Sequence, residues 1–316
     1  MTVAEVGGRV ANIFLNGVIA PYFPMVSYNP RQWFSLIFHS YSKRVMMKLM
    51  PALVFMTVYS TILVYFSIDF FKIHQADFQP TIAMHQLLGI VLGLFLVFRT
   101  NTAYDRWWEG RRLWGGLVNS TRNFAMKLHA CISKENHENR EWFARMIPNF
   151  IFAMKENLRT GVQFSELDAT DETFINDLKK YKHKPNRIAS HLYRRVNDLY
   201  VAGKITGDQL INLDKELKDF IDMMGACERI KNTPIPYSYM MYVKKFIFIY
   251  IITLPFGFVV QSGYMTVPIV VLVSYVLLSV ELIAEEIEDP FGRDVNDLPL
   301  DELALKIKEN VKEILL

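Results

Sequence analysis

Residues 85–126 read HQLLGIVLGLFLVFRTNTAYDRWWEGRRLWGGLVNSTRNFAM, and this stretch decides the fold. From Gln86 to Phe98 it carries no charge. At Arg99 the character changes abruptly to Arg, Asp, Glu and Trp, with no proline to stop a helix. The pattern predicts one long helix that leaves a membrane and continues into water. Ile90, Leu94 and Phe98 recur every fourth residue and share one stripe. At 1.5 Å per residue that stripe spans roughly 12 Å. Gly89 and Gly93 repeat the spacing on a neighbouring stripe, where small residues let helix backbones approach closely in lipid.

By itself such a stripe reads as helix packing. Three motifs change the reading. Phe98-Arg99-Thr100-Asn101 is followed by Tyr104-x-Arg106, an aromatic, Glu109, Arg111/Arg112 and Trp114-Gly115. Gly225-Ala226-Cys227-Glu228-Arg229-Ile230 precedes Thr233-Pro234-Ile235-Pro236. Ala284-Glu285-Glu286-Ile287-Glu288-Asp289-Pro290-Phe291-Gly292 precedes Asn296-Asp297-Leu298-Pro299-Leu300. Together, from about Met25 onward, they resemble the bestrophin family of ion channels, its bacterial branch most closely. The resemblance implies a homopentamer around a central pore and a narrow neck at Ile90, Leu94 and Phe98.

Composition agrees with a chain that is part membrane and part water. The 316 residues are 51% hydrophobic, 14% aromatic and 21% charged. That is too apolar for an average soluble domain and too charged for a wholly embedded one. A net charge of +3 implies no nucleic-acid partner. Cys131 and Cys227 are too few for a disulfide framework and are expected to be reduced and cytosolic.

In chain order, residues 1–24 stand outside the resemblance. Glu5, Arg9 and Gly7-Gly8 argue against a signal peptide, and Met25 is the expected functional start. Residues 25–48, with Trp33, Phe34, Lys43, Arg44 and Lys48, read as an interfacial helix. Four spans follow: Leu49–Phe70, with Pro51 in its first turn, Ile82–Phe98, Phe246–Val260 with a kink at Pro255, and Val267–Ile283. Residues 99–240 form a helical domain between the two pairs. Its expected helices are Glu141–Leu158, Thr170–Tyr181, Ile188–Tyr200 and Thr206–Met224. A cytosolic segment, 284–316, ends the chain. Lys and Arg flank the spans on one side, which places both termini and the middle domain in the cytoplasm of a multi-pass protein of the inner membrane. The fold expected is all-α, with four transmembrane helices and a helical cytosolic domain.

Enzyme signatures are absent: there is no G-x-S-x-G, H-E-x-x-H, Walker loop or C-x-x-C. No enzyme, cofactor or metal is expected. Acids recur at Glu281, Glu285, Glu286, Glu288, Asp289, Asp294, Asp297 and Asp301. In eukaryotic bestrophins the matching segment is a calcium clasp. Here Arg293 and Val295 interrupt the run and the EF-hand pattern fails, so the segment reads as a solvated helix exit. His85 reads as interfacial or as facing a pore entrance. Trp107, Trp108 and Trp114 read as belt or packing aromatics, and Glu109 with Arg112 as a surface pair.

The function expected is passive flux of monovalent ions through a dewetting neck, with inorganic ions and the lipid bilayer as the chain's partners besides its own copies. A membrane-anchored scaffold for a cytosolic partner is the alternative. Chloride is the default that the resemblance implies. Phe98 is the one aromatic at the neck, which weakens the anion-favouring feature. The resemblance also implies a second narrowing at the cytosolic exit. Counted from Ala202-Gly203-Lys204, it falls on Asp208, which equally reads as the cap of the helix holding Leu210 and Leu213. A carboxylate ring there favours cations, so sodium permeability is expected beside chloride.

Overall fold

The computed structural model describes residues 40–71, 80–168 and 172–316, and among them it contains helices and no strand. The 1–24 extension, residues 25–39 with Trp33 and Phe34, and the Thr170–Asp171 helix start lie outside the described residues.

Helix α1 spans Ser40–Tyr65 and ends in a π-helical turn at Phe66–Phe70. The basic stretch before Leu49 runs straight into the apolar one, with no break at residue 48. Pro51 therefore sits eleven residues inside α1, not in its first turn. A proline there removes one backbone hydrogen bond, which packing against neighbouring helices offsets. Helix α2 is Pro80–Cys131, a single rod of 52 residues, about 78 Å long at 1.5 Å per residue. It continues without a break across the change of character at Arg99, as expected.

Four further helices follow: α3 (His137–Asn157), α4 (Glu172–Lys179), α5 (Lys184–Val201) and α6 (Gly207–Asn232). They pack on the second half of α2 around Trp114, Leu117, Phe124, Phe150 and Phe220. The expected apolar face of α3, from Phe143 to Met154, is buried. Pro234 and Pro236 end the run, and α7 (Tyr237–Ser262) returns along α2. Gly263, at φ +52°, opens the 3-10 turn Gly263–Met265, and α8 (Thr266–Glu288) folds back onto α1 and α2. A left-handed φ of this kind suits glycine because no Cβ meets the backbone. Helix α9 (Leu300–Leu315) closes this bundle against α3.

Three runs are long and apolar enough to cross a membrane: Met46–Phe70, Ala83–Cys131 and Tyr237–Glu288. The last is the α7–α8 hairpin. These helices enclose a core of Met56, Leu92, Leu96, Ile247, Leu254 and Val270. Their outer surfaces leave Phe55, Ile62, Phe248 and Leu272 exposed, the arrangement lipid requires.

Candidate functional site: the two faces of the long helix

Helix α2 presents two faces at 3.6-residue spacing. Leu92, Leu96, Arg99 and Ala103 are buried against α7 and α8. Ile90, Leu94 and Phe98 lie on the opposite face and are 72%, 57% and 55% exposed. The open face continues without interruption through Asn101, Asp105, Trp108 and Arg112. The chain thus leaves uncovered an apolar stripe that runs into a polar one. Gly89 has a packing reason, since a Cβ there would meet the Tyr250 hydroxyl at 2.7 Å, whereas Gly93 has open space around it.

His85 does not face the open side of α2. It is buried against α7, with its Nδ1 2.9 Å from where a Cβ on Gly257 would stand and its ring 6.1 Å from that of Tyr250. Trp114 is buried, and Trp107 donates from Nε1 to the Asn296 carbonyl at 2.8 Å, so packing accounts for both. Trp108 stays exposed on the open face. Glu109 and Arg112 stand 4.0 Å apart in solvent, a weak contact.

The buried face carries charge. Arg99 is fully buried, its Nη2 2.8 Å from Glu288 and its Nε 3.5 Å from Glu281. The second carboxylate oxygen of Glu288 accepts from the Ile235 amide at 3.1 Å. One face further along, Arg106 donates to three carbonyls: Glu288 at 3.1 Å, Thr233 at 2.6 Å and Ile230 at 2.6 Å. Five donors on a rigid fork suit arginine to this task. Together the two arginines tie α2 to the end of α8, the end of α6 and the proline-broken link into α7.

These contacts correct the reading of the acids as a solvated helix exit. Glu281, Glu288 and Asp297 are buried. Glu286 pairs with Lys48, Glu285 with Lys244 and Asp289 with Lys231. Asp301 receives Lys155 at 2.6 Å and Arg159 at 3.0 Å. Sequence reasoning missed Arg99 and its partners. The seven-residue spacing of Glu281 and Glu288, which puts both on one helix face, was the available signal.

Two acid groupings bear on cation binding. Glu156, Glu166 and Asp301 converge closely enough to hold an ion, but the Lys155 ammonium already sits among them at 3.2, 2.7 and 2.6 Å. A cavity of about 290 Å³ at the end of α8 is lined by Glu285, Glu286, Asp289, Asp294 and Asp297, with Lys48 supplying a positive charge of the chain's own. Burial pushes the Asp297 carboxyl up to about 7, against the Asp294 amide, which donates to it. Cys131 and Cys227 are both free thiols, and burial raises Cys227 to about 12.

Asp208 lies elsewhere. The cap of α6 is Thr206, which with Gln209 forms a reciprocal capping box, so the capping reading of Asp208 is wrong. Asp208 sits exposed in the first turn. Lys127 reaches Asn212 and Glu216 of α6. The start of α6 therefore stands beside the far end of α2, about 40 Å of helix beyond Phe98.

The profile of the family described as Bacterial/Fungal Bestrophin protein matches residues 25–313. The chain belongs to the bestrophin family. Among bestrophins, a voltage-dependent anion channel-forming protein of Nostoc sp. is 38% identical over 72% of this chain and 75% of its own length. One of Mesorhizobium japonicum is 29% identical over 92% and 93%. A crystal structure of a bacterial bestrophin homolog from Klebsiella pneumoniae superposes with a TM-score of 0.78, at 28% identity over 84% of this chain and 98% of that one.

Proposed function

We propose that the chain assembles as a homopentamer into a passive ion channel of the inner membrane. In this reading α1, the first part of α2, α7 and α8 are the four spans, and the soluble bundle and both termini lie in the cytoplasm. The carrying observation is the uncovered stripe of α2. Ile90, Leu94 and Phe98 are open while Arg99, the next residue, is fully buried. An open apolar stripe that runs on into exposed Asn101, Asp105 and Arg112 fits an axis shared by copies of the chain, where an apolar constriction opens onto a wetted passage, and the channel-forming names of its bestrophin relatives favour that axis over lipid alone. Four spans in one chain enclose no such passage, so symmetry supplies it.

Rings of Ile90, Leu94 and Phe98 block ions when narrow, by dewetting, and admit them when they widen slightly. The relatives' names support anion passage. The single aromatic at the neck and the exposed carboxylate of Asp208 support monovalent cation permeability beside it. Purified protein in liposomes, under chloride and then sodium gradients, tests the proposal. Flux through an intact oligomer is expected. No flux under either gradient would leave the membrane-anchored scaffold.

A further inference from the structure

We propose that Asp105 is the charge-selecting residue of the conduction path; this rests on the axis reading of the α2 stripe. Asp105 lies seven residues after Phe98, two helical turns on and on the same face, about 10 Å along the axis. It is exposed. The two arginines of α2 nearest it are already matched. Arg99 is buried against Glu281 and Glu288. Arg106, the neighbouring residue, is turned into the protomer and spends its guanidinium on three backbone carbonyls. Those contacts also fix the rotation of α2 at this level, so the direction of Asp105 follows from the clamp on Arg106. Among the described residues Asp105 has no ion pair and no side-chain hydrogen bond. It is the first uncompensated charge beyond the neck. The next on this face, Glu109, stands about one turn further along with Arg112 beside it at 4.0 Å.

Symmetry turns Asp105 into a ring of carboxylates at the cytosolic mouth of the constriction. Its distance from Phe98 is close to the Debye length of ~10 Å at 0.1 M salt. The ring therefore acts on an ion leaving or entering the neck, concentrating monovalent cations and depleting anions there, and salt weakens it. A purely structural role would show no such salt dependence.

The test is the reversal potential of purified channels in a salt gradient, for Asp105→Asn, Asp105→Glu and Phe98→Ala, each checked for oligomer size first. Asp105→Asn is expected to lower the sodium-to-chloride permeability ratio about tenfold in ~0.05 M salt, with the change fading near 1 M, where the Debye length is ~3 Å. Asp105→Glu keeps the parent ratio. Phe98→Ala raises conductance. An unchanged ratio in Asp105→Asn beside raised conductance in Phe98→Ala would overturn the assignment of Asp105 and leave the channel reading standing. An equal loss in Asp105→Glu would also overturn it, because shape and not charge would then matter. If Phe98→Ala leaves conductance as it was, the axis reading itself falls.

Discussion

On one side of α2, Arg99 is sealed inside the protein and half-buried Arg106 is tied to three backbone carbonyls; on the other, Ile90, Leu94 and Phe98 are open. A soluble protein would place these residues the other way round. The inversion is possible because each side has a different solvent. The buried charges are held by carboxylates and carbonyls that replace water. In the proposed channel the open apolar side chains face a dewetted passage. In this helix the charged face does the holding and, in the proposed channel, the apolar face does the work. The same variant types should therefore have opposite consequences on the two sides.

The largest effect is expected on the holding side. Arg99→Ala leaves Glu281 and Glu288 buried without their counter-ion, which costs about 3–5 kcal/mol. Thermal unfolding in detergent should show a fall of roughly 10 °C or loss of the oligomer. The double variant Arg99→Met with Glu288→Leu removes both signs of that pair and should recover part of the loss. If Arg99→Ala unfolds at the parent temperature, the clamp holds nothing and the contrast between faces collapses.

On the working side, Ile90→Ala, Leu94→Ala and Phe98→Ala should each raise single-channel conductance several-fold while shifting stability by less than ~1 kcal/mol, as exposed positions do. Leu92→Ala, one face away and fully buried, should cost about 2–4 kcal/mol. Unfolding measured on all four separates the faces. Equal destabilisation in all of them, with unchanged current, would return the stripe to helix packing.

A third difference appears with pH. The holding side extends to the turn after α8, where Phe291 and Pro290 approach Gly110 and Asp297 is buried. The folded Asp297 carboxyl sits at about 7, well above its ordinary 3.8. Between those values the folded protein keeps a proton that the unfolded chain has released, so stability falls as pH rises through the window. Asp297→Asn keeps an acceptor for the Asp294 amide and has no charge to bury. It should unfold with the parent near pH 4 and outlast it at pH 8 by about 2 kcal/mol. Parallel unfolding profiles from pH 4 to 8 would show that the carboxyl is solvated in the folded protein.

Much of this fold is legible in the sequence. The unbroken helix through Arg99 follows from the absence of proline, and the α6 start from Thr206. The stripe of Ile90, Leu94 and Phe98 was legible as a face, because periodicity alone defines one. What lay opposite it was not. Arg99 finds Glu288 across 189 residues of sequence, and no local pattern reports such a pairing. Charges read as solvated because most are, and that prior failed for Glu281, Glu288 and Asp297. Pro51 misled for a related reason. A proline is informative about a helix start only when the preceding residues are not themselves helical, and here α1 begins at Ser40.

The smallest effect is expected far from both faces, at Asp208. It stands exposed in the first turn of α6, where the helix dipole favours a carboxylate by about 0.5 kcal/mol. Its neighbours Thr206 and Gln209 satisfy the cap without it, so Asp208→Asn should fold normally. If the start of α6 faces the shared axis, the acid forms a ring at the cytosolic exit. Water surrounds it there, and at ~0.15 M salt the Debye length of ~8 Å confines its reach. The expected shift of the reversal potential towards chloride is thus smaller than at a carboxylate beside the constriction, and visible mainly in dilute salt. Recordings of parent and Asp208→Asn in the same gradient decide the matter. If both rest at the chloride equilibrium potential, the exit ring has no part in ion choice, and chloride selection must be sought in the neck.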